Sequence, residues 1–141
     1  ANVQGLFLYY LAMADGTPLA GQWISFRELP EGSFYNLAFQ SYTGAVLARA
    51  FGDDTTALAR AAQSAGGSAV AVSDCGHAFQ VLPRVLLSVV YWRGDEEFPA
   101  QAQVLFDRAA AHYLPIDGLA LLGSYVVQRL LKLAGAAKAE R

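Results

Sequence analysis

The sequence is short of charge, of cysteine and of basic excess, and each shortage removes a class of function. Charged side chains make up 16% of the 141 residues, against about 25% in an ordinary soluble domain. Ten lysines and arginines face twelve aspartates and glutamates, for a formal net charge of -2. No basic field exists to draw in nucleic acid or anionic lipid, so nucleic acid is set aside as a partner. A single cysteine, Cys75, cannot form an internal disulfide, and alone it cannot hold an iron-sulfur cluster or a structural zinc. A reducing, cytoplasmic compartment is the expectation. The apolar stretch that opens the chain, Ala1 to Ala14, is too short to span a bilayer and lacks a basic leader, so no transmembrane segment is expected.

What is present in quantity is apolar side chain, 55% of the residues. So much of it on so small a body predicts that some apolar surface is covered by another subunit or by a missing segment. The chain also opens on Ala1 and enters an apolar helix directly, which adds the expectation of a processed or truncated N-terminus. At this length the chain fits a single domain, residues 1-141.

The organising stretch is Phe79 to Asp107. Val85 to Trp92 is rich in β-branched and aromatic residues, with Val85, Leu87, Val89 and Tyr91 on one face and Leu86, Ser88, Val90 and Trp92 on the other. Two mostly apolar faces predict a central strand, since an exposed strand alternates with charge. Pro83 precedes it, where a missing backbone donor is tolerated. After the polar RGDEE segment, Val104-Leu105-Phe106 reads as a second strand, paired antiparallel with the first through a long loop.

Around this pair the pattern predicts an α+β fold: a small, mainly antiparallel sheet drawn from the Trp23, Ala69, His77, Val85 and Ala102 regions, packed with helices from both ends of the chain. Val3 to Ala14 is apolar nearly all round and is expected to be buried on most sides. Ser33 is a candidate cap for a helix carrying Phe34, Leu37 and Ala38, and Val46, Leu47, Ala50 and Phe51 form a second stripe ending at Gly52. Asp53 or Asp54 caps a helix from Thr55 to Ala65, closed by Gly66-Gly67. Arg108 to His112 forms one helical turn, and Pro115 begins a last helix from about Ile116 to Ala134. Its stripe of Leu119, Leu122, Val126, Leu130 and Leu133, flanked by Leu121, Tyr125 and Val127, is wide enough to predict a central position or a partner.

Three constellations carry chemistry. Asp95, Glu96 and Glu97 form the densest acidic cluster, and Asp107 joins them if the hairpin brings it close, as ligands for a divalent cation or as an acid-base pair. Against this, consecutive side chains of an extended loop point in alternating directions, which favours a solvated or capping loop. His77 and His112, with Cys75, offer soft ligands for a metal or for the iron or cobalt of a tetrapyrrole, although no CxxCH or HExxH spacing is present. Cys75 and His77, two residues apart on a strand, also face the same way, without necessarily meeting as a nucleophile and base must. No GxSxG, phosphate-loop or dinucleotide motif occurs, so nucleotide hydrolysis has no support.

The segments YYLAMADGTPLAGQWISFRELPEG, LARAFGDD, LPRVLLSVVYWRGDEEFPAQAQVLFD and HYLPIDGLALLG together resemble the domain-of-unknown-function family 3786, found mainly in anaerobic bacteria and archaea. The likeness runs from Leu6 to Leu131, and the paired WISFRELP and GDEEFPAQAQVLFD signatures are specific. The resemblance implies no established activity. It implies an association with corrinoid and anaerobic one-carbon chemistry and, in some members, an iron-sulfur module, whose ligating cysteines this chain lacks. It also implies additional residues ahead of the YYLAMADG helix.

The leading functional expectation is a non-catalytic binding or assembly subunit that docks apolar helices on a protein partner or on its own copies, in an anaerobic redox or corrinoid system. The alternative is a haem or corrinoid binding protein using His77 or His112. A third reading, an enzyme using Asp95, Glu96 or Glu97 with Asp107, requires those carboxylates to converge.

Overall fold

The structure, a computed structural model, describes residues 3-139. Its frame is a five-stranded antiparallel sheet with helices on both sides. The strands are β1 (Trp23–Ser25), β2 (Ser68–Ala69), β3 (Cys75–Leu82), β4 (Val85–Trp92) and β5 (Gln101–Asp107), in the order β1-β5-β4-β3-β2. The helices are α1 (Val3–Met13), α2 (Gly32–Tyr42), α3 (Gly44–Phe51), α4 (Thr55–Ser64) and α5 (Ile116–Ala139), with 3-10 turns at Phe26–Glu28 and Arg108–His112. No helix among the described residues is long and apolar enough to cross a membrane.

β4 occupies the centre, as its doubly apolar sequence predicts. Val85, Leu87, Val89 and Tyr91 enter the main core with Phe79 of β3, Val104 and Phe106 of β5, and Ile24 of β1. The register sets Leu87 between Phe79 and Phe106, and Tyr91 between Cys75 and Ala102. Helices close this face: α3 packs on β5, and α4 on β3 and α5. They contribute Leu47, Phe51, Leu58, Leu119, Leu122, Val126 and Leu130. Val90 and Ser88, on the opposite face of β4, are buried as well, and the Ser88 hydroxyl has no hydrogen-bond partner.

Local chemistry explains most boundaries. Asp54 caps α4 by accepting from the Ala57 N–H at 3.0 Å, the short polar side chain satisfying an orphan donor of the first turn. Gly67 N–H closes that helix on the Ala62 carbonyl. The hairpin between β3 and β4 turns on Pro83 and Arg84, with Arg84 in the left-handed region at φ 61°. Its guanidinium donates to the Gly16 carbonyl.

Two expectations fail. α2 is not capped by Ser33. The residue before the helix is Glu31 at φ 64°, and Gly32 opens it because a Cβ there would stand 1.8 Å from the Phe26 carbonyl oxygen. Nor is α1 buried on most sides: Leu6 enters the core and Tyr10 stacks on Tyr113 at 5.7 Å, while Leu8 and Leu11 are 68% and 73% exposed. Among the described side chains of α1, Leu6 and Tyr10 meet the fold while Leu8, Tyr9 and Leu11 are exposed, as befits a helix at the rim. The α5 stripe is buried in part: Leu119, Leu122, Val126, Val127 and Leu130 lie in the core, Leu121 and Leu133 are half-buried, and the flanking Tyr125 is exposed.

Candidate functional site

The candidate carboxylates are held apart. Asp95 folds its own loop: its carboxylate accepts from the N–H groups of Glu97 and Phe98 at 2.8 and 2.7 Å, which holds it below the usual carboxylate range. Glu96 and Glu97 are exposed. Asp107 stands at the opposite end of β5, about 20 Å along the strand at the usual rise per residue. It is 3% exposed and accepts from the N–H groups of Ala20, Gly21 and Ala109, each at 2.9 Å. The strand runs between the loop and Asp107, so the expected joining of these groups does not occur. Among the described residues no three His, Cys, Asp or Glu side chains gather around one position. Asp107 instead pins the segment 15-22 against the sheet.

The histidines divide in the same way. His112 Nδ1 lies 2.9 Å from the Asp15 carboxylate, and Tyr113 donates to the Thr17 carbonyl beside it. Hydrogen bonds from Thr17, then His112, hold Asp15 down at about 2. His77 lies inside the fold, with Nδ1 3.9 Å from Cys75 Sγ. Burial lowers the His77 imidazole and raises the Cys75 thiol, with the Asp74 charge adding to the thiol's rise. Both shifts favour the neutral forms. An activated thiolate-imidazolium pair needs the opposite environment. The structure thus brings Cys75 to His77 and leaves His112 at the surface on another element.

The acidic loop does form one wall of an open cleft of about 660 Å³, whose other wall is the turn between α3 and α4; Arg49, Asp53, Glu96 and Phe98 line it. Here LARAFGDD meets RGDEEFPAQ. Asp53 accepts from the Gly94 N–H at 2.9 Å, Asp74 from the Arg93 N–H at 3.0 Å, and the Tyr91 hydroxyl donates to the Gly52 carbonyl at 2.5 Å. Asp53, read from the sequence as an alternative helix cap, thus anchors the loop. A carboxylate beside a cap position carries no sequence mark of such a long-range bond.

The strongest surface feature is on α2. Phe39 fixes this helix by stacking on Phe26, ring centroids 4.0 Å apart and 11° from parallel. Gly123 of α5 permits the approach, since a Cβ there would meet the Phe39 ring at 2.8 Å. At 3.6 residues per turn, Leu37 and Phe34 then lie about 160° and 140° around the helix from Phe39. They project away from the core, 87% and 86% exposed. The expected stripe of Phe34, Leu37 and Ala38 is real, and it faces outward. On one side of it Tyr35, Ala38 and Tyr42 border a cleft of about 380 Å³ against α5. On the other, Leu37, Ser41, Gly44, Ala45 and Ala48 border a cleft of about 570 Å³ along Ala100 to Gln103.

The whole is an α+β domain whose ordered polar groups serve its loops and whose unsatisfied surface is an apolar helix. The chain belongs to the family described as domain of unknown function (DUF3786), whose model matches residues 1-129. No curated protein and no solved structure matches it.

Proposed function

We propose that the protein is a non-catalytic interaction subunit that docks apolar helix faces on a protein partner, with α2 as the principal contact. One observation carries this reading: Phe34 and Leu37, one helical turn apart, are almost fully in water on a helix without a charged residue. Single exposed apolar residues are ordinary, whereas a contiguous patch marks an interaction site. Leu8 and Leu11 repeat the arrangement on α1. An anaerobic redox or corrinoid system is the setting that the family resemblance implies for the partner.

The test is affinity capture from the natural source with two baits, the wild-type chain and Phe34→Ser/Leu37→Ser. Both positions lie outside the core, so circular dichroism and melting of the two baits should agree. The expected result is a bound set, counting further copies of this chain, that the double variant loses. Identical bound sets for the two baits would remove the reading.

A further inference from the structure

We infer that the cleft between α2 and α5 binds a small alkylated ammonium cation, held between Tyr35 and Tyr42 beside the Asp117 carboxylate. The site goes beyond the docking reading and does not depend on it, since Phe34 and Leu37 do not line this cleft. The first support is shape. α2 supplies Tyr35, Ala38 and Tyr42, and α5 supplies Asp117, Ala120 and Ser124, spaced so that each set forms one stripe of its helix. Gly123 meets the Phe39 ring, and the Asp117 charge reaches the Tyr42 phenol. The two helices therefore run antiparallel here, with Asp117 at the Tyr42 end.

Ala38 and Ala120 stand in the middle of the two stripes, and their small side chains leave the 380 Å³ of the cleft open between larger neighbours. That volume lies in the range of small-molecule sites. Tyr35 and Tyr42 are two turns apart, about 10.5 Å along the helix axis at the usual rise. Both side chains lean the same way along the helix, so a cation midway lies about 5 Å from the level of each ring, inside the reach of about 6 Å for a cation–π contact.

Charge decides the ligand. Asp117 is the one charged residue that lines the cleft, and among the described residues it takes part in no ion pair. Burial and then the Asp117 charge raise the Tyr42 phenol, which places negative potential at that end of the cleft. An anion would meet the carboxylate with no basic residue to offset it. A calcium ion takes roughly six to eight oxygen ligands, more than one carboxylate, two phenols and the Ser124 hydroxyl supply. Ile116 and Leu121 make the remaining wall apolar. An alkylated ammonium ion suits both surfaces, its charge against the carboxylate and the rings and its alkyl groups against the apolar wall.

The experiment titrates the full chain with choline and with 3,3-dimethylbutan-1-ol, which has the same shape without the charge, followed by amide NMR shifts. Choline should bind with a dissociation constant on the order of 1 mM, and the uncharged alcohol at least about tenfold more weakly. The shifts should centre on Tyr35, Tyr42 and Asp117. Tyr35→Leu and Asp117→Asn, both at exposed positions, should each weaken choline about threefold, with circular dichroism unchanged. No shift up to about 20 mM choline, equal binding of the two probes, or choline binding that either substitution leaves as in the wild type overturns the site. Phe34→Ser/Leu37→Ser should bind choline as the wild type does, so the docking reading stands or falls separately.

Discussion

The Tyr91 hydroxyl donates to the Gly52 carbonyl across 2.5 Å, joining the central strand to the turn between α3 and α4. Burial raises the phenol, and the Asp53 charge adds to the rise, so the group is a donor at neutral pH. Tyr91→Phe keeps the ring in the core and removes this bond together with the hydroxyl's longer contact, 3.5 Å, to the Ala48 carbonyl. The loss should be about 1 kcal/mol, read as a lower urea midpoint at unchanged slope. An unaltered midpoint would mean that the strand and the turn are held by packing alone.

Asp107 serves three backbone N–H groups from one buried position. Asp107→Ala leaves all three donors without their acceptor and should cost about 3 kcal/mol, while Asp107→Asn, which keeps one carbonyl oxygen, should cost less. Because Ala20 and Gly21 lie in the segment ahead of β1, limited proteolysis of Asp107→Ala should cut between Asp15 and Gln22 sooner than in the wild type. Equal cutting rates would separate the carboxylate from any role in holding that segment.

The strands were legible because their cause is local. Val85 to Trp92 announces a central strand by having no polar face, and the antiparallel partner at Val104 to Phe106 follows from it. Asp54 and Gly67 are equally local signs of a helix's ends. What the sequence hides is contact between distant segments. Nothing near Gly32 says that the Phe26 carbonyl will crowd its Cα, or that Phe39 rather than Phe34 or Leu37 will find an aromatic partner in Phe26. Periodicity finds a stripe and cannot say which of two stripes faces inward. The candidate site misleads for the same reason: Asp95 and Asp107 are close to the same strand in sequence, and the strand's length separates them.

Ser88 presents a buried hydroxyl without a partner at the middle of β4. Such a group loses its hydration on folding and regains nothing. Ser88→Ala should therefore stabilise the protein, by about 1 kcal/mol, with no change in the secondary-structure spectrum. Destabilisation of that size would show that the hydroxyl has a bonded partner in solution.

Acid should weaken the fold in two stages that different residues control. Burial holds His77 below the ordinary imidazole value of 6.5, so the unfolded chain takes up this proton more readily than the folded one. The resulting stability is fully present above pH 6.5 and is lost as pH falls through that value toward the lower folded pKa. Asp15 acts further down: held at about 2 by Thr17 and His112, it contributes above the ordinary aspartate value of 3.8 and loses that contribution as pH falls from 3.8 through about 2. Urea midpoints taken at pH 8, 6, 5 and 3 should decline across both windows. His77→Gln should flatten the first decline and leave the second, and Asp15→Asn should lessen the second, to which Asp95 also contributes, and leave the first. A wild-type profile that is level from pH 8 to 5 would show that the His77 ring titrates alike in the folded and unfolded chain.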